Sequence, residues 1–216
     1  MLTEEREGPR LLLLGGRSWR VTYVDWTRRR AFVEPAEGGG VARWTGAGAA
    51  GLSFELTRAM REALLGADPP VRLTHRAGTA LAALRAERGA PTAHPGGTLV
   101  TREGEDVRWW TWAGFRANAT LTASLSAVAD PVQRPTDLAV RLRPDLTAAS
   151  WAAARQAVAA DGPLVLPDVD PRAVHGLKFA AVLPERLAAA TVAARLADFD
   201  GARRVLGEPV RLQIAR

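Results

Sequence analysis

The chain has 216 residues, 47% of them hydrophobic, enough to bury the core of one large or two small domains. Its 29 basic against 23 acidic residues leave a formal net charge of +6, which suits contact with phosphate or an acidic surface. No cysteine is present, which excludes disulfides, thiolate zinc sites and cysteine nucleophiles, and the leucine run Leu11 to Leu14 is too short for a signal segment or a membrane span.

A cytoplasmic protein without membrane attachment is therefore expected. All basic residues except Lys178 are arginines. Arginine offers a planar fork that grips phosphate and stacks on aromatic rings, although a GC-rich coding sequence produces the same bias.

Leu11 to Leu14, the turn at Gly15-Gly16 and Ser18 to Trp26 predict a β-hairpin, and a strand over Ala31 to Glu34 extends it to a meander. Arg17 to Arg30 holds five arginines against one aspartate, interleaved with Trp19, Tyr23 and Trp26. Arg17, Trp19, Arg20, Trp26 and Arg28 are accordingly candidate nucleic-acid contacts. Pro35 ends the strand, and Gly38 to Gly40 lead into a further short strand, Val41 to Thr45. Gly46 to Gly51 matches G-x-G-x-x-G, but no firm strand precedes it in a βαβ unit, so it reads as a passage from sheet to helix.

Ser53 caps a helix with Glu55 in its first turn, and Leu56, Met60, Ala63 and Leu64 form an apolar stripe expected to face the core. Beyond Pro69-Pro70, a helix over Thr74 to Arg88 is expected to bury Ala77, Leu81 and Leu84 and to expose Arg76, Arg85 and Arg88. Gly89 to Gly97, with two prolines and three glycines, is the expected internal boundary. It separates residues 11–88, a meander plus two helices, from residues 98–210, a second α+β part packed with the first as one module.

Thr98 to Thr101 and Val107 to Trp112 predict a hairpin, followed by a helix from Phe115 to Ala127. Asp137 to Arg143 alternates as a strand, with Leu138, Val140 and Leu142 on one face and Arg141 and Arg143 on the other. Thr147 caps a helix through Ala160 with Trp151, Ala154 and Val158 inward, and Pro163 to Pro171 is extended. Pro184 opens a helix with Leu187, Val192, Leu196 and Phe199 as its core stripe. A short helix, Gly201 to Leu206, and a strand, Val210 to Ile214, complete the reading. The fold class expected is α+β, an antiparallel meander or barrel-like module with several packed helices.

Val107 to Asn118, V-R-W-W-T-W-A-G-F-R-A-N, packs three of the seven tryptophans into four positions. Strand alternation places Arg108, Trp110 and Trp112 on one face. Gly114 breaks the strand, and the first turn of the next helix offers Arg116 and Asn118. Indole rings beside guanidinium groups and an amide suit a single nucleic-acid strand; the alternative is that the rings are core.

Signals for catalysis are weak. His75, His94 and His175 lack metal-ligand spacing, no G-x-S-x-G elbow occurs, and Lys178 follows no P-loop. No catalytic residue, metal ligand or resident cofactor is expected. A small-molecule hydrolase built on Asp168 and Asp170 with His175 is a further alternative, and Asp161 with that acidic pair is a weak candidate for a divalent cation.

Gly15 to Trp26 (G-G-R-S-W-R-V-T-Y-V-D-W), V-E-P-A-E-G-G-G with Trp44, Trp110 to Asn118, Leu177 to Leu187 (L-K-F-A-A-V-L-P-E-R-L) and Ala193 to Asp198 occur in that order. Together they resemble the C-terminal region of large helicase-related (Lhr-type) superfamily 2 DEAD/DEAH helicases, over about Leu11 to Pro209. The resemblance implies a barrel-like module with added helices that helps surround the tracking strand. It also implies partner ATPase lobes and a winged helix in the same polypeptide, with ATP and magnesium bound only in those lobes. By the same resemblance Lys178 joins the residues facing single-stranded DNA or RNA. The sequence departs from the family by lacking a Walker A motif and a DEAD or DEAH box, and Trp112 stands where phenylalanine is expected. A purely structural role, docking on helicase lobes without touching nucleic acid, is the competing expectation.

Overall fold

The computed structural model describes residues 10–25, 27–28, 30–39, 51–159, 162–174, 177 and 182–214. Trp26, Trp44, the strand expected over residues 41–45, most of the glycine motif, Asp161, His175 and Lys178 lie outside them. The fold is α+β and forms two compact units, Met1–Ala47 and Gly48–Arg216. No helix among the described residues is long and apolar enough to cross a membrane.

The first unit is an antiparallel meander of β1 (Arg10–Leu14), β2 (Arg17–Asp25) and β3 (Arg30–Ala36), in the order β1-β2-β3. Gly15 and Gly16 have φ of 59° and 74°, as a two-residue hairpin turn with two left-handed positions requires. The Trp19 indole donates to the Leu14 carbonyl at 3.2 Å and ties the hairpin shut. Val21 pairs with Val33 and Tyr23 with Phe32, leaving Thr22 as an extra residue whose hydroxyl donates to the Phe32 carbonyl. This bulge turns Tyr23 to the face that carries Phe32, Arg20 and Glu34.

The second unit contains a four-stranded sheet in the order β6-β5-β4-β7, from β4 (Thr98–Glu103), β5 (Asp106–Trp110), β6 (Ala139–Leu142) and β7 (Val210–Gln213). Its helices are α1 (Phe54–Leu64), α2 (His75–Leu84), the single turn α3 (Ala90–Thr92), α4 (Gly114–Ser124), α5 (Ala148–Ala159), the short α6 (Pro171–Val174), α7 (Glu185–Leu196) and α8 (Phe199–Leu206). The β4–β7 pair is parallel and the others antiparallel, so this sheet is mixed where a meander was expected. Among the described residues neither sheet closes into a barrel. One sheet face presents Val100, Val107, Trp109, Val140 and Leu142 to Ala117 and Leu121 of α4, Trp151 of α5 and Val205 of α8. Trp109 is fully buried, meets Trp151 edge-on at 4.9 Å and donates its indole N–H to Thr98 Oγ1 at 2.9 Å.

The division between units falls earlier than the glycine- and proline-rich segment at residues 89–97, because α1 is tied to the second unit. Leu52 N donates to Asp137 Oδ1 at 2.8 Å, and Thr57 Oγ1 donates to the Trp112 carbonyl at 2.8 Å. These bonds also turn α1 differently from its apolar stripe. Phe54 and Thr57 are buried, whereas Leu56 is 48% and Met60 37% exposed. Polar side chains that find acceptors decide the matter: Arg58 pairs with Glu208 at 2.8 Å, and Arg61 donates to the His94 and Gly97 carbonyls. The second predicted helix ends as α2 at Leu84 and continues as a π-helical turn, Arg85–Gly89. None of the α2 side chains is buried, so Ala77, Leu81 and Leu84 are not core as expected. In α7 the small Ala188 and Ala193 are buried while Leu187 is largely exposed.

Gly114 has φ 76°, and a Cβ there would stand 2.5 Å from the Leu52 carbonyl oxygen. Gly114→Ala is expected to destabilise the second unit by roughly 2–4 kcal/mol through left-handed strain and backbone collision, read as a lower urea midpoint.

Candidate nucleic-acid interface

The strand that carries the tryptophan cluster ends at Trp110. Thr111 N and Trp112 N both donate to the Leu138 carbonyl, at 3.1 and 2.9 Å, and Trp112 adopts φ 52°. Alternation therefore stops, and Trp112 turns inward: it is 3% exposed and its indole donates to the Thr92 carbonyl at 2.7 Å. Trp112 is therefore buried and offers no ring to a strand, which corrects the expected stacking surface. Asn118 is also core. It accepts from the Thr111 hydroxyl at 2.6 Å and donates to the Thr136 carbonyl at 2.8 Å.

Trp110 remains half-buried on the sheet face opposite the core. Strand register builds two rows across that face: Gln213, Thr101, Arg108 and Arg141, then Arg211, Leu99, Trp110 and Ala139. Leu99 and Ala139 are covered, whereas Arg211 and Gln213 are exposed and Thr101, Arg108 and Arg141 partly so. The Arg108 guanidinium carbon lies 5.6 Å from the Trp110 ring centre, and the indole N–H is held by Thr101 Oγ1 at 2.9 Å. Asp106 bridges Arg108, whose Nε donates to it at 2.8 Å, and Arg141. The Asp106 carboxylate thus faces two guanidinium groups, Arg211 adds a third cation to the face, and the exposed Glu103 opposite Asp106 adds a second carboxylate.

The other predicted residues are scattered. Arg116 donates to the Ala197 carbonyl at 2.8 Å, just beyond the last turn of α7. In the first unit Arg17 is exposed, Trp19 is half-buried, Arg20 pairs with Glu34 at 3.5 Å and Arg28 with Asp25 at 3.7 Å. Arg141 was legible from strand alternation; Arg211 and Gln213 were missed because a parallel pairing between strands so far apart in sequence leaves no local signal, and Thr101 was missed although it faces Arg108 across the expected hairpin.

Several arginines serve the fold. Arg85 donates to Ala63 and Ala67 at the end of α1, and Arg155 to Leu206 and Glu208 at the end of α8. Cations are favoured at helix C-termini, where carbonyls lack partners. Burial holds the Arg155 guanidinium below its ordinary value, and burial followed by the Arg58 cation does so for Arg61.

Among the described residues no group of three His, Asp or Glu side chains could hold a metal ion. Asp168 is exposed and Asp170 pairs with Arg134 at 3.1 Å. A shallow cleft of about 280 Å³ lies beside Arg143, Asp145, Thr147 and Ser150. Its arginine is already engaged by Asp145, whose carboxyl is held below its ordinary value chiefly by that hydrogen bond. No family model, curated protein or solved structure matches the chain.

The two neighbouring tryptophans should separate cleanly by stability. Trp112→Ala is expected to cost roughly 3–5 kcal/mol as a core truncation, and Trp110→Ala less than about 1.5 kcal/mol because its ring is only half-buried. Denaturant melts of the two variants measure this.

Proposed function

We propose that this chain is a non-catalytic module that contacts single-stranded nucleic acid and works beside the ATPase lobes and winged helix of a helicase, in the cytoplasm and away from membranes. The observation that carries the reading is the partly covered sheet face on which the half-buried Trp110 ring lies beside Arg108, with Arg141 and Arg211 on the same face. A base stacks on an indole whatever its identity, and guanidinium groups neutralise the phosphates beside it. The Arg108 side chain is 40% exposed, so it can meet a phosphate while it keeps its pair with Asp106. ATP and magnesium belong to the separate lobes, since the chain has no phosphate-cradling loop.

A second reading, a docking scaffold, has its own support. Leu56 and Met60 of α1 and Leu84 of α2 are exposed, and α2 buries no side chain. A helix that is largely apolar yet uncovered suits a protein contact.

Fluorescence anisotropy with a labelled oligothymidylate separates the two. The three arginines of this face alone contribute a log–log salt slope of about −2, at ~0.7 per phosphate, hence at least roughly 20-fold weaker binding for a fourfold rise in salt. Arg211→Ala should flatten that slope by about 0.7 without changing the melting temperature. Absence of salt-sensitive binding favours the scaffold.

A further inference from the structure

The meander of the first unit carries an exposed aromatic pair that the reading above does not use. Tyr23 and Phe32 sit opposite each other on β2 and β3, with ring centres 6.0 Å apart and planes inclined at 33°. They are 62% and 52% exposed. Large rings ordinarily contribute to a core, and an outward pair on a sheet marks a contact surface. The placement follows from the backbone, because the bulge at Thr22 is what brings Tyr23 to the side of Phe32.

The surroundings of the pair decide what it fits. Along the strands, the cross-strand pairs Arg20–Glu34 and Asp25–Arg30 lie about 7 Å to either side of the rings, two residues along β3 in each direction. Arg28 is exposed just beyond β2, so Arg20, Arg28 and Arg30 stand against Asp25 and Glu34, while Arg17 alternates to the opposite face with Trp19 and Val21. The two acids are engaged by Arg28 and Arg20, whose own side chains are more than half exposed and so remain within reach of a polyanion. An apolar protein surface would leave these guanidinium groups facing hydrocarbon, whereas a nucleic-acid strand supplies π-faces for the rings and phosphates for the cations.

Resting on the reading that the chain contacts single-stranded nucleic acid, we infer that Tyr23 and Phe32 form a second base-stacking platform, in the first unit, with Arg20 and Arg30 as its phosphate contacts. The occupant is a single strand, because bases paired within a duplex do not offer their faces to a flat sheet.

Tyr23 is the single tyrosine of the 216-residue chain, so replacing tyrosine by 3-fluorotyrosine throughout this chain installs one fluorine reporter at this site. Oligothymidylate should shift that resonance, and inorganic polyphosphate, which has charge but no bases, should not. Phe32→Leu should weaken strand binding roughly 5- to 150-fold, the range for loss of one stacked base, at an unchanged melting temperature. A resonance that stays put while the strand binds overturns the platform and leaves the Trp110 reading standing. Equal shifts with polyphosphate reduce the contact to charge and overturn stacking. A resonance moved only by an amphipathic, leucine-rich peptide assigns the face to a protein partner, against the proposal. A wild-type chain that binds no strand at low salt removes both readings together.

Discussion

One carbonyl group organises the second unit. Leu138 O receives the amides of Thr111 and Trp112, so β5 cannot continue past Trp110. The residues around it complete the junction: Asp137 accepts from Gly114 N through its backbone and from Leu52 N through its carboxylate, and Thr136 accepts from Asn118. The end of a strand, the start of α4 and the approach to α1 are thereby tied to one three-residue segment. Buried polar groups of this kind must all be paired at once, since a single unpaired member costs more than a hydrogen bond contributes. The left-handed backbone at Trp112 is held by this surplus of bonds.

The same junction sets the chemistry of the outer sheet face. It buries Trp112 and Asn118 and leaves Trp110 half-buried beside Arg108 and Thr101. It also shows why net charge overstates what is available at a surface. Arg61, Arg85, Arg102, Arg116 and Arg155 are each spent on backbone carbonyls, several of them at the C-terminal ends of helices. A guanidinium can bind two such acceptors in its own plane, which an ammonium cannot do.

What was legible in the sequence was local. The Gly15-Gly16 hairpin, the Ser53 cap and the β4–β5 hairpin were readable because each depends on residues a few positions apart. The apolar stripe of α1 misled because hydrophobic periodicity does not reveal Thr57, Arg58 and Arg61, whose acceptors lie 33 to 150 residues away. Trp112 defeated alternation because a strand's length is fixed by its neighbour's carbonyls, and those come from Leu138. Burial of Ala188 and Ala193 in place of Leu187 likewise reflects how closely α7 packs, which side-chain size alone does not specify.

The parallel pairing of β7 with β4 bears on how the chain reaches this state. Thr98 and Pro209, which meet at the start of that ladder, are 111 residues apart. During synthesis β4 emerges with its hairpin partner β5 long before β7 exists, so one edge of the sheet waits uncovered while α4 to α8 are made. Closing so long a loop is slow, and an open strand edge can pair with another chain in the meantime. Val210 and Leu212, which pack against the core from that edge, give the last strand its hold once it arrives. Completion of this sheet therefore waits on β7.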